Sequence, residues 1–292
     1  MPNQNKNFLN GSSMIDEALN TIFRKDKNSI LMGLGATDVK NIFGTTTTIS
    51  KNFKKRVFDV PISENSLTGI IIGSSLRGLK PILTHQRVDF ALLSLEQIIN
   101  QAAKWRFMFG GQQNIQIVIR MIIGRGWGQG PQHSQSLQGI FAQIPGLKVV
   151  MPSTAKSLYK LLIDSFYDKN PVIFLEHRWS HYLIDKKIKN YVPKKLGNSN
   201  RLLSGDDLTI VSCSYMTVEV LKLSKYLSEN ICDKSEICII DNNPNMQKRL
   251  KEEGFHCYES LSVMPESKNC EYGIVANWGP DHISTAEELI NI

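Results

Sequence analysis

No cysteine occurs before residue 213 of this 292-residue chain. The five present, at 213, 232, 238, 257 and 270, include no Cys-x-x-Cys pair, and no histidine pair stands near them at zinc-ligand spacing. An odd, scattered set argues against a disulfide framework, and its spacing argues against a zinc site built from Cys257, Cys270 and His256 or His282. Long apolar runs are missing too. The best candidate, Ile115 to Ile123, is interrupted by Gln116 and Arg120, well short of the roughly 20 apolar residues that span a bilayer. The first residues, Met1 to Ser13, are polar and Asn-rich with no signal-peptide pattern, so they read as a loose arm on a cytoplasmic protein with reduced thiols. Neither Gly-x-x-x-x-Gly-Lys-Thr nor Gly-x-Gly-x-x-Gly is present, and the glycine-rich stretch Gly124 to Gly130 lacks a following lysine. These absences exclude the common phosphate-cradling loops. Stacking aromatics are not interleaved with the lysine clusters, such as Lys186, Lys187 and Lys189, that give the chain its net charge of +7. Nucleic-acid binding is therefore disfavoured, and the basic patches suit an anionic substrate or an acidic partner instead.

What is present is an alternation of strand-like and helix-like segments. Met14, Ile15, Ala18, Leu19, Ile22 and Phe23 predict an amphipathic helix over 13–24, followed by a short strand at 29–33 and a loop over 34–53. Helices are predicted at 66–79, 92–106, 135–143 and 155–168, and strands at 80–84, 115–122, 148–151 and 171–176. Such alternation implies an α/β fold with a mostly parallel sheet flanked by helices. The lysine-rich stretch 185–204, with Pro193 and Gly197, reads as containing a linker. That divides the chain into a main domain, 1–190, a linker, 191–204, and a smaller α/β C-terminal domain, 205–292. In the latter, strands at 207–214, 236–241 and 272–276 and helices at 217–228, 246–253 and 285–290 are expected.

The chemically suggestive positions are few. Arg56-Val-Phe-Asp-Val-Pro-Ile-Ser-Glu64 is a strand-like run that delivers a carboxylate to the start of the apolar segment Leu67 to Leu79. A carboxyl group partly out of water favours its protonated form, which suits proton exchange with a bound heterocycle. An acid in the first turn of a helix also simply complements the helix dipole. His133 follows the glycine-rich loop and precedes a predicted helix. His85 and Arg87 either place an anion-binding group near the same wall or point to solvent.

Beyond these residues, an ordered series of motifs resembles the beta subunit of the decarboxylating component of 2-oxo acid dehydrogenase complexes. It runs through residues 56–64, Gly78-Leu-Lys-Pro81, Glu96-Gln-Ile-Ile-Asn-Gln-Ala-Ala-Lys104, Gly110-Gly-Gln112, Gly130-Pro-Gln-His-Ser-Gln135, Pro145-Gly-Leu-Lys-Val-Val150 and Pro171-Val-Ile-Phe-Leu-Glu176, covering about residues 25 to 180. The resemblance implies a transketolase-like pyrimidine-binding domain and a thiamine diphosphate shared between two subunits. Glu64 would bond the aminopyrimidine, Gln86 and Phe90 would line its pocket, and His133 would face the active centre. Some members bind potassium through positions that correspond to Ile117, Ser165, Asp168 and Asn170. The Gly-Asp-Gly segment that holds magnesium in such enzymes is absent, Gly205-Asp-Asp207 lacking its third residue. The resemblance thus implies an alpha-type partner, in an alpha2beta2 assembly, that supplies the magnesium and diphosphate site.

Departures from the family pattern fall at Thr84, where glutamate is common, at Arg87, where an apolar residue is common, and at Leu34. After Asp241 the C-terminal resemblance fades, which leaves docking to a lipoyl-acyltransferase core open. The function implied is oxidative decarboxylation of a 2-oxo acid with acyl transfer. Two alternatives stand beside it: a transketolase-like or acyloin-forming subunit that makes carbon-carbon bonds, and a non-catalytic scaffold.

Overall fold

Residues 7–197, 201–204, 209–230, 238–240, 252 and 256–258 are described by a computed structural model of the chain. The fold opens with β1 (Phe8–Asn10), whose last residue caps helix α1 (Gly11–Lys25) by accepting the Ser13 N–H on its side-chain oxygen at 2.9 Å. That contact satisfies one of the unpaired amides every helix start carries. β1 pairs antiparallel with β8 (Ile184–Lys186), and the Lys187 N–H donates to the Asn7 carbonyl at 2.7 Å. The expectation of a loose arm is corrected here from Asn7 onward, residues 1–6 lying outside the described residues. Ladder bonds use the backbone, which composition does not report, and Leu9 of the strand also packs against the core.

Six strands form the main sheet: β2 (Ser29–Gly33), β3 (Val57–Asp59), β4 (Lys80–His85), β5 (Val118–Ile123), β6 (Lys148–Val150) and β7 (Val172–His177). Their order is β3-β2-β4-β5-β7-β6 and every neighbouring pair is parallel. The near-continuous apolar character of β5 and β7 follows from burial on both faces. Successive residues of β5 alternate between two cores. Val118 and Ile122 join Met14, Leu19 and Phe23 of α1 and Leu158, Leu162 and Phe166 of α7 (Ala155–Tyr167). Ile119, Met121 and Ile123 join Leu67 and Ile71 of α4 (Glu64–Leu76), together with Ile98 and Ala102. In such sheets the crevice outside the carboxyl ends of the strands is where ligands bind.

Between these elements the structure departs from the simplest periodic reading. The loop over 34–53 contains one turn, α2 (Asn41–Gly44), and one short helix, α3 (Ile49–Asn52). The turn is left-handed: Asn41, Ile42 and Phe43 have φ of 46°, 46° and 59°. The helix predicted at 92–106 is a 3-10 turn (Phe90–Ser94), a π-helical stretch (Gln97–Ala102) and α5 (Ala103–Met108). An apolar stripe does not discriminate among these three windings, because all of them keep one face buried. The short helix α6 (Gln138–Ala142) replaces the longer one expected over 135–143.

The chain divides into two compact units, 1–204 with 210–220, and 205–209 with 221–292. In the first, Tyr191 and Leu196 of the segment expected to be linker lie against the α1/α7 core, and the Tyr191 hydroxyl donates to Asp164 at 2.9 Å. The strand expected over 207–214 does not form across its described part, Thr209 to Ser214, where Val211 is 90% exposed. α8 (Met216–Asn230) coincides with the helix expected at 217–228. In the second unit β9 (Cys238–Ile240), anticipated at 236–241, runs parallel to β10 (His256–Tyr258). The elements expected at 246–253, 272–276 and 285–290 lie outside the described residues, Glu252 excepted. Among the described residues no helix is long and apolar enough to cross a membrane.

One glycine is required by close packing. Gly146 has φ +101°, and a Cβ there would sit 2.0 Å from the Ala103 carbonyl oxygen. Gly146→Ala is expected to destabilise the protein by roughly 2–4 kcal/mol, measured by urea unfolding, since both the backbone and the neighbour must move.

Candidate active site

The carboxyl ends of β2, β3, β4 and β5 open on a common basin, and its first wall is the loop after β2. Asp59, at the end of β3, accepts the N–H groups of Gly35 at 2.9 Å and Val60 at 2.9 Å, and the Thr37 hydroxyl at 3.2 Å. Burial pushes its carboxyl up, but these donors outweigh burial and hold it below the usual aspartate range. The loop so fixed presents the Leu34 carbonyl, which accepts the Gln86 side-chain N–H at 2.9 Å. Gly35, at φ +78°, makes the approach possible, because a Cβ would lie 3.0 Å from the Gln86 nitrogen. Gln86 is thereby oriented from outside its own strand.

Glu64 is the first residue of α4. It is half-buried, its own carbonyl accepts the Thr68 hydroxyl at 2.8 Å, and among the described residues its carboxylate has no hydrogen-bond or ion-pair partner. It lines a narrow cleft with Leu34, Val60, Leu67, His85, Gln86 and Phe90. His85 is buried and lowered to about 4 by desolvation, and its Nε2 has no partner. Exposure to solvent is therefore excluded for His85, and as a neutral imidazole it contributes no cation for binding an anion.

Gln86 and Phe90 also line a second, adjoining cavity of about 300 Å3, completed by Lys40, Ile42, Phe43, Arg87, Gln129 and His133. His133 meets Phe90 edge to face, with ring centroids 5.5 Å apart. It closes a single 3-10 turn (Pro131–His133) whose carbonyl accepts the Trp127 indole N–H at 2.9 Å, while the next helix begins only at Gln138. The helix start expected directly after His133 is therefore corrected: Ser134 to Leu137 intervene. Arg87 is buried, with its guanidinium 5.0 Å from the Phe43 centroid and 4.5 Å from that of Trp127. Glu64 lines the narrow cleft and His133 the larger cavity, and the two spaces share Gln86 and Phe90 as wall residues.

A family model described as "Transketolase, pyrimidine binding domain" matches residues 9–181. The chain belongs to this family. Among its relatives are the acetoin:2,6-dichlorophenolindophenol oxidoreductase subunit beta of Cupriavidus necator, 34% identical over 74% of this chain and 67% of that protein, and the pyruvate dehydrogenase E1 component subunit beta of Bacillus subtilis, 32% identical over 74% and 67%. A solved structure described as "Split gene transketolase, inactive beta4 tetramer" superposes with a TM-score of 0.61, covering 76% of this chain and 68% of that one at 20% identity. That likeness bears on the fold.

Within this pyrimidine-binding fold, a buried ion pair lies beneath the basin. Arg120 of β5 donates to Glu176 of β7 through Nη2 at 2.8 Å and Nε at 3.2 Å, and through Nη1 to the Thr84 hydroxyl of β4 at 3.3 Å, all with no solvent exposure at the pair. Thr84, which departs from the family pattern, is here a neutral acceptor beside the pair. His181 approaches the same carboxylate at 3.3 Å. Burial pushes Glu176 up, yet Arg120 and then His181 outweigh it and hold the carboxyl below its ordinary range.

Of the four potassium-type positions, Ile117 and Ser165 use their carbonyls to accept Val172 and Asp168 N–H groups, Asp168 pairs with the Lys148 ammonium, and Asn170 accepts from Arg106 at 2.7 Å. The four are neighbours around the turn into β7, with two side-chain cations against them. Lys40, Phe43, Trp127 and Gln129 were not singled out from sequence. Each lies on a loop with no periodic pattern, and the one available signal was the density of glycines flanking Trp127 and Gln129.

Arg120→Met is expected to lower stability by about 3–5 kcal/mol at neutral pH, because it leaves Glu176 buried without its guanidinium partner and with only His181 beside it. The depressed carboxyl contributes its stability above its unfolded value and loses it as pH falls through the lower folded one. The gap between wild type and variant in thermal melts should therefore narrow below about pH 4.3.

Proposed function

We propose that this chain is the beta-type subunit of a thiamine diphosphate-dependent 2-oxo acid dehydrogenase that works in the cytoplasm. The reading rests foremost on the Glu64 carboxylate, which has no protein partner among the described residues and faces a cleft walled by Leu34, Val60, Leu67 and Phe90. An apolar slot with one carboxylate and one oriented carboxamide fits an aminopyrimidine: flat faces pack on Phe90, and ring nitrogens and the amino group find Glu64 and Gln86. When bound, the coenzyme supplies a carbon nucleophile that adds to the carbonyl of the substrate. Glu64 holds or gives a proton at the ring nitrogen, Gln86 keeps the ring in plane, and Phe90 excludes water from one face. His133, in contact with Phe90 and opening on the larger cavity, is the group suited to move a proton at the substrate.

Glu64 is only half-buried in the single chain, so the remaining shielding belongs to a second surface. Ile62, two residues before it, is 78% exposed, and Phe107 of α5 is 89% exposed, which supports a covering partner. In this proposal the partner is an alpha-type chain in an alpha2beta2 assembly that brings the magnesium and diphosphate site. In this proposal potassium takes main-chain oxygens at Ile117, Ser165, Asp168 and Asn170.

A second reading, in which the cleaved or formed bond is carbon-carbon as in an acyloin, is favoured by the acetoin oxidoreductase relative. Product analysis separates the two: an acylated lipoyl domain against a new hydroxyketone. In the complex reconstituted with its native partner, Glu64→Gln is expected to reduce turnover by about 10²–10⁴-fold, as removal of a proton-transfer group does, while size-exclusion chromatography still gives the intact assembly. Unchanged turnover would leave a scaffold subunit instead. Coenzyme titration should give tight binding only with the partner present.

A further inference from the structure

The cavity beside His133 carries two side-chain cations in its wall, Lys40 and Arg87, and no carboxylate. Arg87 is 6% exposed. Its Nη1 donates to the Gln86 carbonyl at 3.2 Å and its Nη2 to the Gln129 side-chain oxygen at 2.7 Å, both neutral acceptors, and its Nε has no partner. Among the described residues no carboxylate comes within ion-pair distance of Arg87 or Lys40. The Phe43 ring that Arg87 packs on also carries the Arg178 guanidinium at 4.7 Å. Desolvation first, and Arg178 second, make the charge on Arg87 harder to keep, with Asp89 offsetting only part.

Two aromatic faces and two amide oxygens stabilise a buried guanidinium less than an ionised partner does. A charge held this way, on the wall of a cavity, is complementary to an anion that arrives from outside. Any 2-oxo acid brings one carboxylate, attached to its reacting carbonyl, whereas this wall offers two cations on two separate loops. The volume accommodates roughly ten non-hydrogen atoms, at about 30 Å3 for each water-sized group.

We propose that the cavity takes a substrate bearing a second anionic group, carboxylate or phosphate, distal to its reacting carbonyl, and that Arg87, with Lys40 at the rim, determines that specificity. Arg87 presents a fork to the planar or tetrahedral oxyanion, and Lys40 draws the substrate in. The reacting end of this substrate rests on the thiamine-enzyme reading, but the anion site does not.

The test separates the two. Glutarate and, independently, inorganic phosphate are titrated calorimetrically into the full chain, with glutaramide as the uncharged control. One or both anions should bind, and Arg87→Met should weaken binding at least tenfold; the preferred probe identifies carboxylate or phosphate. Lys40→Met should weaken it less, and Arg87→Lys, which keeps the charge and loses the fork, should fall between wild type and Arg87→Met. The idea is overturned if neither anion binds better than glutaramide, or if Arg87→Met and Lys40→Met both bind as wild type. In the reconstituted enzyme, kcat/KM for 2-oxoglutarate relative to 2-oxobutyrate should drop at least tenfold in Arg87→Met when the titration favours a carboxylate. If the wild-type complex turns over no 2-oxo acid, the dehydrogenase reading fails while the titration still decides the anion site.

Discussion

A single buried guanidinium-carboxylate pair, Arg120 with Glu176, ties three neighbouring strands together directly below the basin. Two ions removed from water are costly, and that cost is offset only when geometry is good and the remaining donors are used. Here the fork is satisfied on Glu176, the spare Nη1 reaches Thr84, and His181 approaches the same Oε1 that accepts Nη2. The arrangement exists only if β4, β5 and β7 lie in one register, because a slip of one residue in a parallel strand would send Arg120 to the opposite core. The floor of the recess is thus a specificity device as much as a source of stability.

The walls are held differently. Asp16, buried on α1, accepts both the N–H and hydroxyl of Thr48 and the N–H of Ile49, so the first helix anchors the far end of the 34–53 loop. Asp59 anchors its near end. Between these two carboxylates the chain makes its left-handed turn at Asn41–Gly44, in a conformation that costs a β-branched residue such as Ile42 of order 1–3 kcal/mol. Burial of Ile42 and the stacking of Phe43 against Arg87 and Arg178 offset that cost. Strain and an uncompensated charge therefore meet at the same wall of the same cavity.

Much of this was legible in the residues. The apolar runs of β5 and β7 announced a sheet buried on both faces, and the Pro61-Ile-Ser-Glu64 junction located the carboxylate at a helix start. Glu64, Gln86, Phe90 and His133 lie at one end of the sheet because all four follow the carboxyl ends of parallel strands, β3, β4 and β5, which topology alone dictates. The cluster of Phe43, Arg87 and Trp127 was not legible, since three separate loops bring it together through contacts such as Asp16 with Thr48 that no periodicity encodes. The pairing of Phe8–Asn10 with Ile184–Lys186 was hidden for another reason: its stabilising bonds are main-chain bonds across a separation too long for local propensity to report. Winding at Gln97–Ala102 escaped because helix periodicity constrains the buried face and not the hydrogen-bond span.

Both margins of the main sheet are short. β3 and β6 contribute three residues each, so neither border offers a long row of free amides and carbonyls to another chain. Strand addition, the commonest hazard of an open border, is blunted on both sides. Along this sheet, a partner finds side chains on the flanking helices and loops sooner than a ladder to extend, which favours recognition by shape and apolar contact over backbone continuity.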